Sequence, residues 1–266
     1  MIKEIRISTI DDLMPLLSED GFDEKIGRYR GTYVYRGLSD SSFKMVTSLK
    51  RNCKELQKEL EPAILRNYTK YAAFEDPTIE RSVWYQMVSG QHHGLPTRLL
   101  DLSHSALVAL HFATVDENMD DLDKHDGMIW RLDIPELHSM LPLKYLSAIE
   151  QSRSKVMSID TLSSITTDLS EYDRDMKSDS LIIMEPPSTE SRIVNQYSFF
   201  AIVPMGINDL EDFLDKRTQN TVKYIIDKDL RWRIRDMLDS LNISERILFP
   251  SLDGIASWIG RHYYVK

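Results

Sequence analysis

The chain has 266 residues and a formal net charge of −9, long enough for one large α+β domain with its own core and too acidic for a general phosphate-backbone binder, so nucleic acid is not an expected partner. Cys53 is the single cysteine, which excludes an intramolecular disulfide and a four-cysteine zinc site and fits a reducing compartment. The opening MIKEIRISTIDDL lacks a signal-peptide pattern and no apolar run reaches bilayer-spanning length, so the expectation is a cytoplasmic protein with no membrane partner.

A short strand over Ile2–Ser8 precedes a helix over Ile10–Ser18, with Thr9 as its predicted N-cap and Gly21 as its end. Residues 31–37 (GTYVYRG) alternate as a strand does, with Val34 and Arg36 on one face and Tyr33 and Tyr35 on the other, so a guanidinium stands where a core side chain would point. Helical spacing follows over Asn52–Phe74, with Pro62 expected to kink it, and again over Thr78–Ser89. A strand is expected at Thr97–Asp101, and then a buried small-residue helix over His104–Thr114 capped by Ser103.

An acidic loop over Asp116–Asp126 leads to a strand at Met128–Leu132. The polar stretch Gln151–Ser180 reads as a mobile insertion or lid. Strands return at Leu181–Met184, Ser198–Val203 and Val222–Ile226, followed by a helix over Lys228–Leu241 and a closing helix from Ser251. In that penultimate helix Arg231, Arg233 and Arg235 point in several directions and read as a solvated face. With no internal repeat and no linker, the whole of 1–266 is expected to be one α+β domain, a mixed β-sheet flanked by helices.

Two segments concentrate chemistry. Tyr35-Arg36-Gly37 offers a fixed fork of donors beside a residue that lets a ligand reach the backbone, which suits an anion or ribose clamp. The alternative is a strand-end arginine held by Asp40 or Asp101. Residues 91–101 (QHHGLPTRLLD) gather Gln91, His92, His93, Thr97, Arg98 and Asp101 around one turn, the kind of polar convergence a ligand pocket uses. No metal is expected, because adjacent side chains such as His92 and His93 diverge in regular structure. Cys53 reads as inert, and Walker, GxGxxG and zincin motifs are absent from the sequence.

YVYRGLSDSSF resembles the motif of the FRG family, and QHHGLPTRLLDLSHSALVALHFA resembles its most recognisable block, with SRIVNQYSFF and ILFPSLDG following in the expected order. The resemblance spans roughly residues 30–255. A more distant likeness, to Arg-type ADP-ribosyltransferases, rests on the order of Tyr35-Arg36-Gly37, the Thr97–Ala113 unit and the segment at Gln196. That likeness implies an ADP-ribosyltransferase-like fold and NAD as substrate, held by Arg36 and braced by Ser103 or Thr97. It also implies ADP-ribosyl transfer to a protein acceptor or NAD hydrolysis, in a toxin-like or phage-defence setting. The Glu-x-Glu of those enzymes is missing; Gln196 stands nearest to it, and Glu190 is the substitute on offer. The alternative function is a non-catalytic nucleotide-sensing or protein-binding module in which Arg36, Arg98 and Arg192 hold an anionic nucleotide.

Overall fold

The computed structural model describes residues 1–266 except 19, 20, 117, 153 and 155, and describes no side chain at 78. Ten strands are described: β1 (Lys3–Ile7), β2 (Gly21–Asp23), β3 (Arg28–Arg30), β4 (Tyr33–Leu38), β5 (Leu99–Ser103), β6 (Gly127–Asp133), β7 (Met157–Ser158), β8 (Ile182–Glu185), β9 (Ser198–Ile202) and β10 (Val222–Ile226). Eight of them form one mixed sheet in the order β1-β10-β6-β4-β5-β9-β8-β7, while β2 and β3 form a separate hairpin. The outer pairs β1–β10 and β7–β8 are parallel and the inner pairs antiparallel. This is the α+β class expected from the sequence, a mixed sheet flanked by helices. Among the described residues no helix is long and apolar enough to cross a membrane.

The period-two pattern explains how the sheet is clothed. Val34, Leu100, Leu102, Trp130, Leu132, Phe199 and Ala201 share one buried cluster. The residues between them serve two separate packs. Tyr35, Ile129 and Tyr224 meet Ala109, Leu110, Ala113 and Ile234, whereas Leu99, Phe200 and Ile202 meet Trp84, Met87, Tyr145 and Tyr172. The seam between these packs falls at β4 and β5, which share a single register pair, Tyr35 with Ser103. Strands that splay this way leave a trough in the sheet.

Two glycines let the helix Ala106–Ala113 lie directly on the sheet. A Cβ at Gly37 would stand 2.0 Å from the Ala109 carbonyl oxygen, and one at Gly127 would stand 2.2 Å from that of Ala113. Gly37 therefore serves helix packing, whereas the sequence suggested room for a ligand. This helix is capped by Ser105, whose Oγ accepts from the Val108 N–H, and Ser103 is not the cap.

Other expectations shift in register or environment. Thr9 Oγ1 accepts from the Asp12 N–H, but the helix itself runs over Leu13–Ser18. The long helical stretch divides into Ser48–Cys53 and Gln57–Ala72, joined by a 3₁₀ turn, and Pro62 lies inside the second. The next helix is Val83–His92, capped by Ser82.

The polar stretch 151–180, expected to be an insertion or lid, contributes Met157, Ile159, Leu162, Tyr172 and Met176 to the second pack; its residues 153 and 155 lie outside the described ones. Arg231 and Arg235 are not a solvated face, since both are 0% exposed. Arg231 donates to the carbonyls of His125 and Val115, and Arg235 donates to His111 Nδ1 and to Glu245. Acceptors more than a hundred residues away along the chain, His125 and His111 among them, turned these guanidinium groups inward.

Candidate functional site

A cavity of about 250 Å³ occupies the trough between β4 and β5. Tyr35, Arg36 and Gly37 of β4 form one wall, Asp101, Leu102 and Ser103 of β5 the opposite one. The helix Ala106–Ala113 contributes Val108, Ala109 and Phe112, and Gln91, Arg192, Gln196 and Ser198 complete the rim. Sequence reasoning named most of the polar members. It missed Phe112 and Ser198; the signal for Phe112 was its spacing from Val108 and Ala109, which puts the three on one helix face.

Arg36 is under-supplied with acceptors. Its NH1 donates to the Asp101 carbonyl at 2.6 Å, and the Asp101 carboxylate lies 3.8 Å away. Its Nε is buried with no hydrogen-bond partner among the described residues. Burial holds the guanidinium below its usual pKa, against the raising effect of Asp101. The side chain is 18% exposed, so it sits at the cavity wall and not in the interior.

A chain of side-chain hydrogen bonds fixes the opposite wall. Thr97 Oγ1 donates to Gln91 Oε1 at 2.6 Å and accepts from the Leu99 N–H at 3.1 Å. Gln91 Nε2 then donates to Asp101 Oδ2 at 2.9 Å. With both ends of its amide engaged, Gln91 transmits the position of the turn to the carboxylate. Ser103 Oγ accepts from the Ser105 N–H at 3.0 Å and donates to the Gln196 carbonyl at 2.7 Å, joining β5 to the segment before β9.

Gln196 lies on no strand. It ends the helix Ser191–Asn195, and its Nε2 donates to the Leu248 carbonyl at 3.0 Å. The backbone then turns through Tyr197, at φ +48°, into β9. Arg192 reaches the same rim with its guanidinium 5.0 Å from the Phe249 ring centroid, and NH1 donates to the His92 carbonyl at 3.4 Å.

Five residues expected in the pocket, His92, His93, Thr97, Arg98 and Glu190, do not line it. Arg98 is taken up by carboxylates outside the cavity: it forms bidentate bonds with Glu61 and donates through NH1 to Asp173 at 2.7 Å. Burial works against its charge, but the bonds to Glu61 and the charge of Asp173 outweigh that and hold it above its usual pKa. Burial lifts the Glu61 carboxyl above its usual pKa, against the lowering effect of Arg98; the ion pair is the state that the matched donors and acceptors support. His92 and Glu190 do not line the cavity either. Their Nδ1 and Oε2 atoms lie 2.5 Å apart in a neighbouring cleft, and burial keeps His92 below its ordinary pKa despite Glu190.

The expected divergence of His92 and His93 does not occur. Their ring centroids are 5.0 Å apart, and with Glu190 they bring one ligand atom each to within 4.8 Å of one another. The reason is local: His93 follows the last residue of the helix Val83–His92 with φ −94° and ψ 12°, so the regular fan of side chains ends between the two.

What the cavity can do follows from this inventory. Two guanidinium groups, two amides and two serine hydroxyls face one trough beside an aromatic ring, and Asp101 is the carboxylate on its lining. That set favours a ligand carrying negative charge, hydroxyl groups and a flat ring. No curated protein and no solved structure matches the chain. Residues 31–122 do match the family model of the FRG domain, a stretch that holds β4, β5 and the helix between Ala106 and Ala113 but not Arg192 or Gln196, and the chain therefore carries an FRG domain.

Proposed function

We propose that the trough binds a dinucleotide, with NAD as the candidate, and that the protein is an NAD-using ADP-ribosyltransferase or NAD glycohydrolase. The observation that carries this reading is Arg36: a wall guanidinium with one close carbonyl acceptor and a carboxylate held back at 3.8 Å. A diphosphate oxygen would supply the acceptors it lacks, and Arg192 on the rim would share the charge. Phe112 offers a face for a base or nicotinamide ring.

In the reaction the bond between the ribose carbon and the nicotinamide nitrogen breaks, and its electron pair leaves with neutral nicotinamide. The ribosyl cation that remains is captured by water, or by a protein acceptor, with loss of one proton. A carboxylate facing that cation lowers the barrier by charge. Asp101 supplies it here, in place of Glu190, which is occupied with His92. Gln196, anchored to Leu248, would orient ribose through its remaining amide capacity. NAD depletion or modification of an acceptor would suit a toxin-like or phage-defence role.

Binding without turnover is the second reading, and one observation favours it. Gln91 Nε2 already donates to Asp101 Oδ2 at 2.9 Å, which spends part of the carboxylate's capacity. The experiment is to incubate purified protein with NAD and follow nicotinamide release by chromatography, with calorimetry of NAD and ADP-ribose in parallel. Release that disappears in Arg36→Ala supports the enzyme. Binding without release supports the sensing module, and neither binding nor release removes both readings.

A further inference from the structure

We propose that His92, His93 and Glu190 form a binding site for a divalent transition metal, zinc being the occupant that this donor set suits best. The inference stands apart from the dinucleotide reading, since none of the three residues lines that cavity. Two imidazoles and one carboxylate already bring a ligand atom each to within 4.8 Å of one another. A tripod of two nitrogens and one oxygen is too soft for calcium or magnesium and matches zinc, with a fourth position left open.

Each residue is better explained as a ligand than by its local role. Glu190 occupies the N-cap position of the helix Ser191–Asn195 but makes no capping bond; its carboxylate crosses to His92 instead. His93 is exposed, and its ring makes no hydrogen bond to the described residues, yet it turns toward His92. A simple His92–Glu190 ion pair would need no second imidazole. The three side chains also come from segments about a hundred residues apart, the end of one helix and the start of another, so an ion would cross-link them.

The surroundings suggest what the open position would take. The cleft beside the tripod is lined by His92, Glu190, Ser191, Arg192 and Phe249. Two neutral imidazoles and one carboxylate leave a divalent ion with a net charge of about +1, and the Arg192 guanidinium adds to it. Water, hydroxide or a phosphate oxygen is thus the expected fourth ligand.

The test is titration of chelator-treated full chain with Zn(II) and Co(II), by calorimetry and by the visible absorption of tetrahedral Co(II), with no nucleotide present. One ion per chain is expected. His93→Ala and Glu190→Gln should each weaken it at least about tenfold, the smaller end of what losing even a supporting residue costs a metal site. His262→Ala, far along the chain on the last helix, should bind as the parent does. Circular dichroism of each variant separates lost ligands from lost fold, and His93→Gln serves if His93→Ala unfolds. The proposal fails if binding is not saturable at one ion per chain, or if folded His93 variants bind like the parent, which would leave His92 and Glu190 as an ion pair alone.

Discussion

Arg36 and Arg98 stand on adjacent antiparallel strands or at their edge, yet they occupy opposite electrostatic situations. Arg98 is 3% exposed and meets two carboxylates, Glu61 in bidentate geometry and Asp173 at 2.7 Å. Arg36 meets one carbonyl and a carboxylate at 3.8 Å. The first has its donors spoken for and holds three segments together; the second keeps donors in reserve at the wall of a cavity. Paired arginines organise the fold, and an under-paired one marks where a ligand is wanted. The same rule describes Arg261, which is bonded to both Asp239 and Glu245.

The sharpest way to break this comparison is Arg98→Met. Removing the guanidinium leaves Glu61, which is 3% exposed, without a counter-charge, so stability should fall by about 3–5 kcal/mol in urea unfolding. A variant within about 1 kcal/mol of the parent would show that the triad is not structural. Arg36→Ala should do the reverse. Its melting temperature should stay near that of the parent, while affinity for NAD or ADP-ribose drops about 100-fold, some 2.7 kcal/mol. Unchanged affinity would take Arg36 out of the site.

Acid should weaken a third region, the buried pair of His111 and Arg235, by a smaller amount. His111 is buried against Arg235, which donates to its Nδ1, and burial pushes its pKa down to about 3. The unfolded chain titrates near the ordinary value of about 6.5. Stability is therefore complete above that value and declines as pH falls, because the unfolded state takes up a proton that the folded one refuses. The loss for His111 alone should approach about 2 kcal/mol between about pH 8 and about pH 5. His138, pushed down to about 4 by burial, adds in the same direction. His111→Asn should flatten the profile measured by chemical denaturation; an unaltered profile would show that this histidine is not the titrating group.

Much of the molecule was legible in the sequence because its signals are local. Alternation along residues 31–37 put Arg36 on a strand, as β4 has it, and the small-residue pattern of Ala106, Ala109 and Ala113 fits a helix lying close to a sheet. What escaped was set by distant partners. Nothing near Arg98 reveals Glu61 or Asp173, which are 37 and 75 residues away in sequence. The inward turn of Arg231 and Arg235 depends in the same way on residues outside their own helix. The splay of β4 from β5, which creates the cavity, depends on two helix packs meeting at a seam, and no single segment encodes it.

A small change in stability is also expected of Asp101→Ala, the variant most informative for function. The sequence offers this residue as a carboxylate that could hold Arg36, and a carboxylate in that role would cost stability when removed. The geometry gives that role to the backbone. The close contact to Arg36 comes from the Asp101 carbonyl at 2.6 Å, which alanine retains, while the carboxylate is 61% exposed and 3.8 Å away. Its close partner among the described residues is Gln91 Nε2, a bond worth about 1 kcal/mol or less at such exposure. The melting temperature should thus fall by a few degrees at most. Ligand behaviour then discriminates. If Asp101 stabilises a ribosyl cation, nicotinamide release should drop by at least about tenfold to a hundredfold while dinucleotide affinity holds. If the trough only binds, removing a negative charge beside the diphosphate should leave affinity equal or improved, with no turnover in either protein. A large loss of stability would contradict both outcomes and return Asp101 to the structural class that Arg98 represents.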